Sequence, residues 1–226
     1  SVVYTRVDSN LSAFYIANGT QKWVYGNIGS NEMALSPDGS TLFVGYQETL
    51  YAISASTGNE VWTNNLGSYG GNQINGVDVG PNGDYVYVSG GYMDSHRVLE
   101  RVAISTGSDD WSVEPSNKPG DIVVSPDGTR IYVEYDNVHD ISWHHTSDGS
   151  RGSWTYSGHS TYINDIELSP DGGTIYASSH ENTVRALDTS GNVQWNTTLD
   201  DTVDDIEATA DAVYAQDRSE TISQLN

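Results

Sequence analysis

Leu35-Ser36-Pro37-Asp38-Gly39-Ser40-Thr41-Leu42-Phe43-Val44 decides the fold, because its turn comes back along the chain. Ser36-Pro37-Asp38-Gly39 returns as Gly80-Pro81-Asn82-Gly83, Ser125-Pro126-Asp127-Gly128 and Ser169-Pro170-Asp171-Gly172. Subtracting positions puts the prolines 44, 45 and 44 residues apart. Thr209-Ala210-Asp211 is a fifth, degraded copy. Proline presets φ at the second position of such a turn and glycine accepts a positive φ at its end, so each copy reverses the chain tightly.

A second anchor runs in phase with the first: a glycine turn followed by tryptophan. It occurs as Asn18-Gly19 to Trp23, Thr57-Gly58 to Trp62, Thr106-Gly107 to Trp111, Asp148-Gly149 to Trp154 and Ser190-Gly191 to Trp195. Between anchors lie short β-branched or alternating runs. One unit reads strand A (Met33-Ala34-Leu35), strand B (Thr41-Leu42-Phe43-Val44), strand C (Leu50-Tyr51-Ala52-Ile53) and strand D ending on Trp62. No segment keeps a helical period. Four antiparallel strands per period of roughly 40–45 residues predict an all-β chain, a β-propeller of four-stranded blades. Residues 1–226 form one such domain, anchored at Trp23, Trp62, Trp111, Trp154 and Trp195. The chain opens on a B strand (Val2-Val3-Tyr4) and closes on a C strand (Ile222), which predicts five A, six B, six C and five D strands. That makes five or six blades, the terminal ones incomplete or shared. A start at Ser1-Val2-Val3, without Met or a signal-peptide pattern, points to a processed product or a piece of a longer chain.

Tyr51-Ala52-Ile53-Ser54-Ala55-Ser56-Thr57-Gly58-Asn59-Glu60-Val61-Trp62 resembles the repeat of PQQ-like, quinoprotein-type propellers. Leu35 to Val44 resembles the YVTN-type repeat of archaeal surface-layer proteins. The resemblance covers nearly the whole chain and implies the fold. It does not imply the cofactor: quinoprotein dehydrogenases are larger, and this chain has no cysteine and too few blades, so PQQ is not expected. PQQ-like repeats also resemble the propeller that supports outer-membrane protein insertion, which implies an assembly scaffold as an alternative function.

Charge narrows the function classes. Asp plus Glu number 31 against 9 Lys plus Arg, a net charge of −22, and only Lys22 and Lys118 are lysines. A surface that must neutralise phosphates cannot be built this way, which excludes nucleic acid as a partner. No apolar run is long enough to span a membrane as a helix. An acidic, lysine-poor surface resembles that of halophilic, especially haloarchaeal, proteins. The absence of cysteine excludes disulfides and thiolate metal sites.

On a propeller the D–A and B–C loops emerge on one face, the Pro and Gly turns on the other. The turns are short and uniform. The loops are long and variable, and such loops on a rigid scaffold are where binding resides. The candidate contacts on that face are Tyr69, Tyr92, His96, Tyr135, His139, His159, Tyr162 and His180, with Tyr46 and Tyr156 beside them. Tyr and His join a flat apolar body to a polar edge, which suits a protein partner or a surface glycan. Trp143-His144-His145 falls in a C strand and reads as local packing. In the A strands seven of ten alternate positions are acidic: Glu32, Asp78, Asp121, Asp165, Glu167, Asp205 and Glu207. These predict an acidic central channel. Asp121, Asp165, Asp205 and Glu207 are the candidate ligands for Ca²⁺ or Mg²⁺ there, and hydrated carboxylates with exchangeable monovalent cations are the simpler reading.

No nucleophile elbow, P-loop, dinucleotide fingerprint or zinc-protease helix is present. Acidic pairs are too abundant for any one pair to mark a glycoside hydrolase or lyase, which stays as an alternative. Three sequons, at Asn10, Asn18 and Asn196, fit an extracellular glycoprotein. The composite expectation is a non-enzymatic binding or structural module on the surface of a halophile or of a virus infecting one, within a larger surface assembly. It carries a direct prediction. Screening of surface carboxylates should raise the melting temperature steadily from dilute buffer to molar KCl. A flat or falling melting temperature in differential scanning calorimetry removes the halophilic reading.

Overall fold

The computed structural model describes residues 1–7, 9–29, 32–66, 73–92 and 95–225, with the backbone alone for Tyr92, Ser95 and His96. Among the described residues there are 22 strands and no helix. Six antiparallel sheets form, each a meander of consecutive strands. Blade 1 holds β1 (Val2–Val7), β2 (Asn10–Tyr15) and β3 (Gln21–Tyr25). Blade 2 holds β4 (Glu32–Leu35), β5 (Thr41–Tyr46), β6 (Thr49–Ser54) and β7 (Glu60–Asn65). Blade 3 holds β8 (Ile74–Val79), β9 (Tyr85–Tyr92), β10 (Ser95–Ala103) and β11 (Asp109–Val113). Blade 4 holds β12 (Pro119–Val124), β13 (Arg130–Tyr135), β14 (Asp140–His145) and β15 (Arg151–Tyr156). Blade 5 holds β16 (Ile163–Leu168), β17 (Thr174–Ser179), β18 (Thr183–Asp188) and β19 (Val193–Thr198). Blade 6 holds β20 (Val203–Ala208), β21 (Val213–Asp217) and β22 (Ile222–Leu225).

The expected strand count is met, and the choice between five and six blades falls on six. Blade 1 has strands B, C and D; blade 6 has A, B and C. The D strands run past their tryptophans, against the expectation that they end there. Trp62 lies in the middle of β7, because Thr63, Asn64 and Asn65 pair with Tyr51, Leu50 and Thr49. Their polar side chains conceal a strand whose outer face meets solvent.

The turns behave as their chemistry demands. In Ser36-Pro37-Asp38-Gly39 the glycine takes φ 68° and donates its N–H to Ser36 O at 2.8 Å. The Ser36 hydroxyl donates to Asp38 Oδ1 at 2.6 Å, and Asp38 accepts the Ser40 N–H at 3.0 Å. The same serine–aspartate pair recurs as Ser125–Asp127 and Ser169–Asp171.

One apolar cluster lies between each pair of successive blades, five in all. Beside each cluster a D-strand tryptophan tilts against the B-strand aromatic of its own blade. The pairs are Tyr4–Trp23, Phe43–Trp62, Tyr87–Trp111, Tyr132–Trp154 and Tyr176–Trp195, with centroids 5.7–6.2 Å apart. The indole N–H then crosses to the next blade. Trp23, Trp62, Trp111 and Trp154 donate to the carbonyls of Ala55, Ile104, Thr146 and Thr189 at 3.0, 2.8, 2.9 and 3.1 Å. Replacing Trp62 by Ala should therefore cost about 3 kcal/mol, the lower end for a large aromatic because the ring is half-buried. Trp62→Phe should cost about 1 kcal/mol, the value of the lost hydrogen bond. Urea unfolding of both variants checks the order, and equal losses would remove the hydrogen bond from the account.

Candidate functional site

Two places in the ring gather chemistry. The first is the channel lined by the A strands. Three of its carboxylates are committed to the backbone of the following blade. Asp78 accepts the Val124 N–H at 2.6 Å, Asp121 that of Ile166 at 3.1 Å, and Asp165 that of Ile206 at 2.7 Å. Above them, Asn75 donates to Pro119 O at 2.9 Å and Asn164 to Val203 O at 2.6 Å. Strand alternation turns these side chains inward while Val77, Ile122 and Ile166 face the sheets. Blade 4 departs from the pattern: Gly120 stands where blades 3 and 5 have asparagine, and the buried Glu134 side chain from β13 fills the space, so that a Cβ at Gly120 would collide with it. Asp204 and Asp136 complete the loop-side mouth.

Burial is the largest cause of the high proton affinity of these acids. It lifts Glu32 to about 7, Asp78 to about 6 and Glu167 to about 8, with neighbouring carboxylates adding to Glu32 and Glu167. Burial and mutual proximity raise Asp121 and Asp165, and Glu134 is raised well above the carboxylate range. The four candidate cation ligands thus divide. Asp121 and Asp165 are half-buried staples, whereas Asp205 and Glu207 lie exposed on β20. Among the described residues no three His, Asp or Glu side chains converge to hold a metal ion.

The second place is the loop face over blades 4 to 6. The β13–β14 turn presents Val138 and His139, the β15–β16 loop presents Tyr162, and the β17–β18 turn presents His180. His139 and Tyr162 meet edge-on at 4.9 Å, and Tyr162 meets His180 at 5.8 Å. Tyr162 is 43% exposed. His180 Nε2 lies 3.1 Å from the Arg218 guanidinium, which is paired with Asp204 at 3.0 Å. The positive φ of His139, 58°, recurs at the equivalent positions Asn182 and Glu220, so it belongs to the B–C turn and not to a strained site.

Three of the eight candidate contacts therefore converge: His139, Tyr162 and His180. Two are corrected. Tyr135 is 1% exposed, and its hydroxyl bonds His144 Nε2 at 2.7 Å, which in turn leaves His144 Nδ1–H to donate to Gly149 O at 2.8 Å. His159 is buried beneath Tyr156, its Nδ1 accepting from Arg185, which is paired with Glu181. Neither can touch a partner, because each sits at a strand or loop base where a cross-strand neighbour covers it. Tyr69 lies outside the described residues, and so do the side chains of Tyr92 and His96. Arg218, Arg185 and Glu181 were not foreseen. The usable signal was that cations are few, nine in all, and that several of them fall in or beside B–C turns. His144 and His145 bear out the local-packing reading: one is buried, the other exposed.

The model of the family described as outer membrane protein assembly factor BamB, the PQQ_2 repeat family, matches residues 7–226. The chain belongs to this PQQ-like family. None of the curated proteins compared with the chain matches it significantly. Among solved structures, hydrazine synthase of Kuenenia stuttgartiensis superposes with a TM-score of 0.72 at 25% identity, over 84% of this chain and 56% of that one. The chain thus spans a little over half of that protein. Because 1660 solved chains match in all, the PQQ-like architecture alone selects no activity.

The titrations set a pH dependence. Carboxyls with folded pKa values above the unfolded value of about 4 stabilise fully below that value, and the contribution is lost as pH rises through about 6–8. His159, lowered to about 4 by burial and Arg185, works the other way: its contribution is complete above about 6.5 and is lost as pH falls toward 4. With three such carboxyls against one histidine, stability should be highest near pH 4, roughly, and decline from there to about pH 8. Glu167→Gln should flatten that decline in thermal melts across pH; a wild-type curve that rises to pH 9 contradicts the assignment.

Proposed function

We propose that this PQQ-like propeller is a non-catalytic docking scaffold that engages a partner protein through the loop face, with His139, Tyr162 and His180 at the centre of the contact. The observation that carries the reading is the exposed Tyr162 ring held edge-on between two imidazoles. A side chain fixed by its neighbours loses little freedom on binding, and aromatic anchors dominate interface energies. Val138, 38% exposed, extends the apolar surface, and Arg218 with Asp204 supplies a polar rim. The family's description as an assembly factor supports a protein over a glycan as partner. The inward acids support a structural reading, since Asp78, Asp121 and Asp165 spend their oxygens on backbone N–H groups. A site on the outside of a cell or virion fits the acidic surface and belongs to the same proposal.

The test is crosslinking of the purified chain to envelope extracts at fixed salt, with the captured species identified and its affinity then measured. Tyr162→Ala should weaken that affinity about tenfold or more, as for a buried anchor. Asp38→Asn and Asp127→Asn, on the Pro-turn face, should leave it unchanged. Equal losses on both faces refute the assignment.

A further inference from the structure

At the loop-side mouth of the channel lies a cavity of about 370 Å³, and its wall on blades 3, 4 and 5 belongs to complete four-stranded sheets. Blade 3 supplies Ile74 and Asn75, blade 4 Gly120 and Glu134, and blade 5 Ile163 and Asn164. Blade 4 is the irregular member. By register against the A strands, the place of Glu134 is held by Ser89 in blade 3 and Ser178 in blade 5. The two departures go together: a Cβ at residue 120 would occupy the space of the Glu134 carboxyl, so the long side chain enters only because Gly120 has none.

Most polar atoms of this wall are already spent. Asn75 Nδ2 donates to Pro119 O at 2.9 Å, and Asn164 Nδ2 to Val203 O at 2.6 Å. Asp121 accepts the N–H groups of Ile122 and Ile166 at 2.8 and 3.1 Å, and Asp165 that of Ile206 at 2.7 Å. Asp136 is paired with Lys118. What is left over among the described residues is oxygen. No hydrogen bond there uses Asn75 Oδ1 or Asn164 Oδ1, and Glu134 Oε1 is sealed from solvent without a protein partner. Glu134 is 2% exposed, and a carboxyl oxygen so deeply buried is costly to leave unpaired.

We propose that this mouth binds an unbranched primary alkylammonium group, such as ends a lysine side chain or a linear amine, with Glu134, Asn75 and Asn164 as its acceptors. Oxygens without a spare side-chain N–H select a donor cation over an anion. A primary ammonium carries three N–H bonds, one for each acceptor. A metal ion suits the wall less well. Among the described residues no three Asp, Glu or His side chains converge, and two of the three acceptors are neutral amides. A quaternary ammonium suits it less well too, because no aromatic side chain lines the cavity to offer a ring face. Ile74 and Ile163, both buried, line the same cavity and give the methylenes an apolar wall. Burial first, then the carboxylates of Asp136 and Asp121, raise the proton affinity of Glu134. An ammonium beside it favours the ionised form instead and gains a charge-assisted hydrogen bond. The site goes beyond the docking reading, uses none of His139, Tyr162 and His180, and stands or falls independently of them.

The experiment titrates the purified 226-residue chain with n-butylammonium chloride, holding ionic strength fixed with KCl, and follows the amide NMR shifts of Gly120 and Asn164. Saturable shifts with a Kd of about 1 mM or tighter are expected. A parallel titration with Nα-acetyl-lysine methylamide separates the two sources. Saturation by both assigns the site to a lysine donated by a polypeptide as well as to a free amine, and saturation by n-butylammonium alone assigns it to a free amine; either sustains the proposal. Glu134→Met keeps the length of the side chain, loses the acceptor, and should weaken binding about tenfold or more. Asp38→Asn removes a carboxylate at the Pro-turn face and should leave binding unchanged. Thermal melts establish that both variants fold; if Glu134→Met does not, the comparison of n-butylammonium with tetramethylammonium on the unaltered chain decides alone. Three results overturn the proposal. Absence of saturable shifts in KCl removes the site. Equal saturation by tetramethylammonium removes the N–H donors from the account. Equal weakening by Glu134→Met and Asp38→Asn reduces the attraction to the overall charge of the chain.

Discussion

An indole N–H reaching from one blade to a carbonyl of the next is the constraint on which the ring depends. A blade is a twisted sheet that buries little by itself; it becomes stable only when both faces are covered. The tryptophan makes the covering directional. Its ring fills the space against the aromatic of its own B strand, and its N–H has to find an acceptor once that space is closed to water. The acceptor lies at the foot of the next C–D turn, so the hydrogen bond sets the stagger of successive blades as well as their separation. The glycine of that turn follows from the same requirement. It accepts a positive φ, and it also leaves room for the ring to lie against the backbone.

At the inner rim the same task falls to carboxylates. Asp78, Asp121 and Asp165 accept backbone N–H groups of the following A strand, so charge-capable groups tie the inner rim together beside the apolar clusters. That choice has a consequence. Acids crowded around a narrow channel repel one another when ionised, and burial makes ionisation harder still. Near neutral pH Glu32 and Glu167 therefore tend to keep their protons. The outer surface adds the same sign of charge, the net charge of the chain being −22.

Much of this was legible in the sequence because the repeat anchors are local. Pro37 and Gly39 dictate a turn wherever they stand, and Trp62 after Gly58 marks a D strand regardless of what surrounds it. The strand inventory followed from counting such anchors. The candidate contacts were less legible because exposure is not local. Tyr135 and Tyr162 look alike as loop-face tyrosines, yet His144 draws the first into the core while the second has no covering strand. The carboxylate staples were out of reach for a related reason. Alternation correctly turned Asp121 toward the channel, but whether its oxygens meet solvent or the Ile166 N–H depends on the stagger between blades, which no single blade encodes.

Regular positions in a repeat protein answer to the fold, because each must satisfy the same neighbours in every copy. Positions where the repeat is broken answer to something else, or to the absence of a neighbour. Glu134 over Gly120 is a break that the interior absorbs: the side chain fills the place of an asparagine. His139, Tyr162 and His180 are breaks on the loop face that the interior does not absorb, since nothing in the ring needs a tyrosine held between imidazoles at the surface.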